Sequence, residues 1–295
     1  MNHYIKLIRP KDWAKNAFLF LPLFFAGRLF EADLLLQVLE GFACFSLIAS
    51  SIYILNDYRD IEDDKKHPEK RNRPLAAGLV NKNSAFILSI ALMLAGFAWA
   101  WFIRDKFFFV LLIYFLLNLA YSLGLKKIPI LDIMIISIGF VLRVKGGAVI
   151  AKVGLSEWLT IMVFLLALFM ALAKRRDDVL LKIKSGTAMR AAVKGYNLDF
   201  INIALSLICS VIIVAYFMYT MSDSVIDRLG TYRLYYTCLF VLAGMFRYLQ
   251  LIYVHSDSES PVKILYRDRF IQVTIVLWIV SFYMILYMRN ITIFN

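Results

Sequence analysis

The sequence predicts an all-α, polytopic membrane protein, a bundle of about nine transmembrane helices. Three observations carry that expectation. Of 295 residues, 61% are hydrophobic, against about half in a soluble domain, and the mean hydropathy is +0.71. The excess lies in runs close to the roughly 20 residues that cross a bilayer as a helix. The charges gather between these runs, and basic clusters fall in every second gap. Strands of a membrane barrel would alternate apolar and polar side chains, and these runs do not.

The runs fall at about 13–30, 34–55, 84–103, 107–125, 129–151, 157–173, 199–221, 232–254 and 270–288. Lys6, Arg9, Lys11 and Lys15 precede or open the first run, and no small-residue cleavage site closes it. It is therefore expected to stay as a span and not to leave as a signal peptide. Neither a soluble domain nor a long linker interrupts the pattern, so residues 1–295 read as one integral membrane domain.

The net charge of +12 follows topology. The N-terminus and the even-numbered loops hold Lys65, Lys66, Lys70, Arg71, Arg73, Lys82, Lys126, Lys127, Lys174, Arg175, Arg176, Lys182, Lys184, Arg190, Lys194, Lys263, Arg267 and Arg269. The odd loops hold little beyond Arg28, Arg104, Lys106, Lys152, Arg228 and Arg233. This bias places the N-terminus in the cytoplasm and the C-terminus outside a cell membrane. Charge placed this way speaks against nucleic acid as a partner. Cys44, Cys209 and Cys238 lie inside predicted spans, match no metal spacing and read as apolar packing residues.

The polar segments 56–83 and 174–198 are the longest, and both mix acids with bases. This weak internal echo suggests two related helical halves around one site. The first segment opens with "NDYRDIEDDKKHPEKRNRP", Asn56 to Pro74. If the second span continues as a helix past Tyr53, Asp57, Asp60 and Asp64 share one face, with Asn56 at its edge. Carboxylates this close repel unless a positive group stands between them. Mg²⁺ is a hard cation that takes carboxylate oxygens and keeps places for phosphate oxygens. The plainer alternative is a charged loop neutralised by Lys65, Lys66, Lys70, Arg71 and Arg73. The order Asn-Asp-x-x-Asp-x-x-x-Asp at the end of a span favours the metal.

In the second segment Lys174 and Asp178 are four apart and can share a helical face. Asp178 could complete a metal shell while Lys174 or Arg175 grips phosphate oxygens. A basic stop to the sixth span, with stray acids, is the competing reading. Arg247 falls roughly 10 Å inside the eighth span, where an arginine is either functional or snorkels to the interface. Arg143 and Lys145 lie past the middle of the fifth span and either line a cavity or reach the outer headgroups. Asp132 is a site residue or a simple helix-start acid. His67 reads as a loop or phosphate contact, and His3 and His255 as incidental. Phe18, Phe20, Phe24 and Phe25 are expected mostly to face lipid.

Asn56, Asp57, Asp60 and Asp64, with the following His67-Pro68-x-Lys70-Arg71-x-Arg73-Pro74-Leu75-x-x-Gly78, resemble the first aspartate motif of the UbiA-type intramembrane prenyltransferase superfamily. The resemblance covers nearly the whole chain. It implies a UbiA-like bundle open to lipid, with Mg²⁺ and a substrate diphosphate held by this motif. Within the superfamily the chain is most similar to the decaprenyl-phosphate phosphoribosyltransferase branch. The shared stretches are "RPKDWAKN" (Arg9 to Asn16), "LDI…GFVLR" (Leu131 to Arg143), "AKRRDD" (Ala173 to Asp178) and "SP…RDR" (Ser260, Pro261, Arg267 to Arg269). Lys145 and Asp178 depart from that branch, where an apolar residue and a Glu would be expected.

The resemblance implies an enzyme that joins PRPP (5-phosphoribosyl 1-diphosphate) to a polyprenyl phosphate. The products would be polyprenyl phosphoribose, a precursor of cell-envelope arabinose donors, and diphosphate. Asp57, Asp60 and Asp64 would be catalytic and, with Asp178, metal-holding. Asn56, Lys15, Lys70, Arg71, Arg73, Tyr121, Lys126, Lys174, Arg175, Asp178, Arg247 and Arg267 would bind substrate. Tyr121 and Lys126 read equally as an aromatic-belt residue and a topological lysine. Membrane lipids are the remaining expected partners, and oligomeric state, a homo-oligomer included, stays open. A prenyltransferase moving a prenyl group from its diphosphate to an aromatic or other acceptor would use the same motif. A transporter or channel with Arg143 and Arg247 on its path would leave the aspartates unexplained.

The topology has a direct consequence. In intact cells, cysteines placed at Lys66 and Lys184 should escape a membrane-impermeant thiol reagent, and one at Asn295 should react. Labelling at Lys66 but not at Asn295 would invert the orientation.

Overall fold

The computed structural model describes residues 3–66, 70–185, 195–254, 264 and 267–287. His67, Pro68, Arg190, Lys194, His255, Ser260, Pro261, Lys263 and Asn295 lie outside the described residues. No strand occurs among the described residues. The helices are α1 (His3–Ile8), α2 (Leu21–Phe25), α3 (Ala32–Arg59), α4 (Ile61–Lys66), α5 (Lys82–Ile103), α6 (Asp105–Leu123), α7 (Leu131–Ala151), α8 (Glu157–Ser185), α9 (Leu198–Met221), α10 (Asp223–Leu229), α11 (Cys238–Tyr253) and α12 (Arg269–Tyr287).

Eight helical segments among them are long and apolar enough to cross a membrane: α3, α5 to α9, Arg233–Tyr253 (a 3₁₀ turn running into α11) and α12. Their outer faces carry fully apolar side chains in the open, such as Phe102, Ile87 and Leu94. Contiguous apolar surface of this kind is abnormal in water and ordinary in lipid. The protein is an all-helical, multi-pass membrane protein.

The first expected span is not a regular α-helix. Pro10–Phe20 winds as a 3₁₀-helix, and α2 follows with Pro22 in its first turn. Proline lacks the N–H that an α-helix interior needs and is suited to a first turn. The 3₁₀ rise is about 2.0 Å per residue against 1.5 Å. Sixteen residues of this mixed winding (10–25) therefore reach roughly 30 Å, the thickness of a hydrocarbon core. The polar segments also differ from open loops: α3 runs on to Arg59, and α8 runs through the basic stretch to Ser185.

Contacts divide the chain into two compact units. The first comprises Met1–Gly124 and Gly139–Leu155. In it α3 lies along α5, with Ser51 and Ser89 hydroxyls 3.1 Å apart. Leu19, Phe45, Ile48, Phe107, Leu111 and Ile150 belong to its buried core. The 3₁₀ segment is held by side chains as well. Trp13 Nε1 donates to Ser50 Oγ, and buried Asn16 donates to Ser46 Oγ at 3.0 Å. Arg143 then donates from Nε to Asn16 Oδ1, from Nη2 to Tyr114 OH and from Nη1 to Gly139 O, each at 2.8 Å. Its guanidinium also lies 4.8–5.3 Å from the ring centres of Tyr114, Phe45 and Phe140. Arg143 is thus buried in this core and does not reach headgroups, whereas Lys145 is exposed. Phe18 and Phe20 make ring contacts with Phe140 and Phe42, and Phe25 is buried, so they pack more than the sequence suggests.

The second unit comprises Leu125–Ile138 and Ser156–Asn295. Here α8 packs along α9 and α11 on α12. Phe169, Ile201, Leu205 and Tyr248 belong to its core. Cys44, Cys209 and Cys238 are free and buried, as packing residues should be.

Gly147 is where the 3₁₀ segment meets α7 most closely. A Cβ there would lie 1.9 Å from the backbone oxygen of Leu19. Backbone cannot swing aside as a side chain can, so Gly147→Ala should destabilise the fold by about 1–3 kcal/mol. Thermal unfolding in detergent would register this as a lower Tm, while Gly154→Ala, with open space around it, should leave Tm nearly unchanged.

Candidate active site

In the first unit, α3 carries Asn56 and Asp57 on its last turn and ends at Asp60, whose N–H closes on Asn56 O at 3.0 Å. The backbone then turns into α4, which holds Asp64. The three aspartates therefore do not sit on one continuous helix. Asp57 and Asp64 are buried and Asp60 is half-buried at the break.

Two arginines stand between the buried carboxylates. Arg73 Nη1 donates to Asp57 Oδ1 at 3.0 Å and to Asp64 Oδ2 at 2.7 Å. Arg9 Nη2 donates to the same Asp57 Oδ1. Lys70 Nζ lies 4.0 Å from Asp64 Oδ1. Arg71 is exposed in the short 3₁₀ turn Lys70–Asn72. The loop is seated by Leu75 and Val80, which pack with Leu7, Ile54 and Ile61. Gly78 takes a φ of +70° where the chain turns back, a conformation that favours glycine.

Arg9 belongs to the shared opening stretch, yet nothing local marked it as a partner of Asp57. Its own φ is +57°, which is uncommon for a non-glycine residue and costs energy unless the surroundings hold it. Its guanidinium is anchored on Asp57 and lies 5.3 Å from the centre of the Tyr53 ring. Lys15 lies 5.9 Å from the same ring centre and pairs with Asp12 at 2.6 Å.

Among the described residues, no three His, Cys, Asp or Glu side chains already converge so as to hold a metal. The donor chemistry nevertheless suits Mg²⁺. Asn56, Asp57, Asp60 and Asp64 offer hard oxygens, and buried Asn56 Oδ1 has no hydrogen-bond partner. A buried acceptor of that kind calls for a donor or a cation.

The second unit holds a separate polar cluster. Arg175, 1% exposed, donates from Nε to Asp132 Oδ2 at 2.6 Å and from Nη1 to Asp178 Oδ2 at 2.9 Å. Tyr196 OH donates to Asp132 Oδ1 at 2.8 Å and accepts from the Ile130 N–H at 2.6 Å. That contact holds Ile130 at a φ of +70°, strained for a β-branched residue. Burial pushes the Tyr196 phenol above its ordinary range. Arg175 is therefore enclosed by protein carboxylates, not exposed for a substrate phosphate. The Arg175–Asp178 pair and buried Val179 explain why the helix persists where a loop is expected. Arg176 is also buried, donating to Asn202 Oδ1 and Ile252 O, both at 3.1 Å.

Lys174 and Arg267 are exposed; Tyr121 and Lys126 are half-buried. Arg247 donates from Nη2 to Asp268 Oδ2 at 2.8 Å and from Nη1 to Gln250 Oε1 at 2.7 Å. It lines a cavity of about 560 Å³ with Phe246, Leu249 and Phe270. The arginine's hydrogen bond holds the Asp268 carboxyl below its ordinary range. Of the residues singled out in the sequence, the structure gathers Asp57, Asp64, Lys70 and Arg73 in one unit, and Arg175 and Asp178 in the other.

An all-helical membrane fold with an aspartate–arginine knot at the end of a spanning helix defines an intramembrane transferase of the UbiA type. The chain belongs to the UbiA prenyltransferase family, whose pattern matches residues 17–274. It is 32% identical over 284 residues to the decaprenyl-phosphate phosphoribosyltransferase of Mycolicibacterium smegmatis, covering 93% of this chain and 89% of that protein. It is 29% identical over 289 residues to the protein of that name from Corynebacterium glutamicum, covering 96% and 86%. In fold it resembles a UbiA homolog from Archaeoglobus fulgidus bound to GPP and Mg²⁺. The TM-score is 0.71 and the identity 19%, over 97% of this chain and 99% of that one.

Removing one partner of a buried ion pair leaves the others unpaired and costs about 3–5 kcal/mol. Arg175→Ala should therefore cost stability of that order, seen as a large fall in Tm. Arg71→Ala, at an exposed position, should leave Tm nearly unchanged.

Proposed function

We propose that this protein transfers 5-phosphoribose from PRPP to a polyprenyl phosphate, releasing diphosphate. The observation that carries the reading is likeness to decaprenyl-phosphate phosphoribosyltransferases along almost the whole chain. The aspartate–arginine knot supplies chemistry suited to that donor. Residues 1–295 act as one transferase domain, with the N-terminus and both polar segments on the cytoplasmic side of the cell membrane.

Asn56, Asp57, Asp60 and Asp64 would hold Mg²⁺. When bound, the ion neutralises the diphosphate and stabilises its departing charge. Arg73, Lys70 and Arg71 bind the diphosphate oxygens and orient the donor; arginine does so with paired donors and lysine as a point charge. The bond from ribose C1 to the diphosphate oxygen breaks, and its electron pair leaves with diphosphate. A phosphate oxygen of the lipid acceptor supplies the pair for the new bond to C1. That oxygen is already anionic, so no side chain has to remove a proton. The ribose 5-phosphate needs basic groups of its own, and exposed Lys174 and Arg267 are the candidates. The product is a lipid-linked pentose phosphate, an early intermediate for a cell-envelope pentose donor.

The decisive assay uses purified protein, radiolabelled PRPP, a polyprenyl phosphate and lipid extraction. The wild type should place label in the lipid phase in the presence of Mg²⁺. Asp57→Asn and Asp60→Asn should nearly abolish this, as should a chelator. Lys174→Ala should raise the apparent constant for PRPP roughly tenfold or more, since a charge-assisted phosphate contact contributes about 1.5–3 kcal/mol. The constant for polyprenyl phosphate should move less. A protein that forms no lipid-linked phosphoribose, yet joins a prenyl diphosphate to an aromatic acceptor, would overturn the reading.

A further inference from the structure

Arg73 sits between Asp57 and Asp64 through one nitrogen, and Arg9 takes the same oxygen of Asp57. Both carboxylates are 2% exposed, so water screens these pairs little. The oxygens engaged by the two guanidinium groups belong to the residues placed to hold a metal. A cation binding between Asp57 Oδ1 and Asp64 Oδ2 must displace Arg73 Nη1, because one position cannot hold both.

We infer that Arg73, assisted by Arg9, is an exchangeable counter-ion that couples metal binding to diphosphate binding. The inference rests on the reading of Asp57 and Asp64 as metal-holding. With the arginines on the carboxylates, a divalent cation must first break buried ion pairs and would leave a guanidinium without a partner. A diphosphate arriving alone finds the arginines engaged and the carboxylates repelling it. When both arrive together, the cation takes the aspartate oxygens and the released guanidinium takes diphosphate oxygens. Every buried charge keeps an opposite charge in contact throughout. Arg73 is the stronger exchanger because it bridges two carboxylates. Its loop is also a separate short segment, anchored by Leu75 and Val80 rather than by Arg73 itself. Arg9 is suited to the supporting part, since its left-handed backbone is held in place by the pair it would give up.

The exchange makes a prediction of opposite signs for one substitution. Mn²⁺ serves as the probe metal and inorganic diphosphate as the probe anion, on the full chain in detergent. Free Mn²⁺ is followed by electron paramagnetic resonance. The wild type should bind Mn²⁺ weakly alone and at least about tenfold more tightly with diphosphate, the scale of one charge-assisted contact. Arg73→Gln should bind Mn²⁺ alone several-fold more tightly than the wild type, while the gain from diphosphate shrinks. Arg9→Gln should shift both quantities the same way, by less. Arg73→Lys keeps a charge with single-point geometry and should fall between. Equal weakening of Mn²⁺ binding by Arg73→Gln with and without diphosphate would make the arginine merely structural and overturn the inference. So would wild-type affinity that ignores diphosphate. Wild-type protein that binds no Mn²⁺ even with diphosphate would overturn the metal reading as well. Because neither probe contains ribose, failure to use PRPP would leave this result standing.

Discussion

Asp57 places a negative charge, 2% exposed, at the end of a membrane-spanning helix. A carboxylate in that position is stable only with cations in contact. The cations come from far away in sequence: Arg9 is 48 residues distant and Arg73 is 16. Meeting them fixes where the N-terminal segment lies and how the 70–80 loop folds back. The left-handed backbone at Arg9 lies next to one of these pairs, and the turn at Gly78 follows the loop that carries Arg73. Apolar packing of Leu7, Ile54, Ile61, Leu75 and Val80 then closes the same region from beneath.

The second unit meets the same constraint differently. Its buried cation, Arg175, has carboxylates on two sides and a tyrosine beyond them. The Arg73 side chain is 29% exposed between its carboxylates, but that of Arg175 only 2%. A solvent-accessible guanidinium can change partners; an enclosed one mainly holds its neighbours in place. The two clusters look alike in composition, and exposure separates an adaptable site from a structural clamp. Arg143 follows the enclosed pattern without a carboxylate. It uses an amide, a phenol, a backbone carbonyl and three ring faces.

Spans of hydrophobic residues are legible because lipid demands them everywhere along the helix. The aspartate motif is legible because its spacing is local. What could not be read locally was partner choice. Arg175 and Lys174 are adjacent, basic and equally plausible as phosphate ligands, yet helical geometry turns one inward and leaves the other exposed. Tyr196 carries no motif at all, and only folding brings it to Asp132. The first apolar run departs from the expected α-helix because hydropathy is blind to winding. Pro10 and Pro22 hinted at the break, and side-chain anchors such as Asn16 hold it.

Under the proposed reading, the aspartate–arginine knot would let one scaffold serve both prenyl and phosphoribosyl donors. PRPP and a prenyl diphosphate share a leaving group, and the knot's charges address that group alone. Nothing in Asp57, Asp64 or Arg73 distinguishes a ribose carbon from an allylic one. Discrimination must therefore come from groups that meet the part of the donor that is transferred. A ribose 5-phosphate adds a second anion, and an anion is most readily recognised by exposed cations that the fold has not already enclosed. By that criterion Arg175, Arg176 and Arg143 are poor candidates despite their charge. Exposed Lys174 and Arg267 meet it. Under the same reading, burial more than the count of basic residues decides which cations of this chain can meet the transferred group.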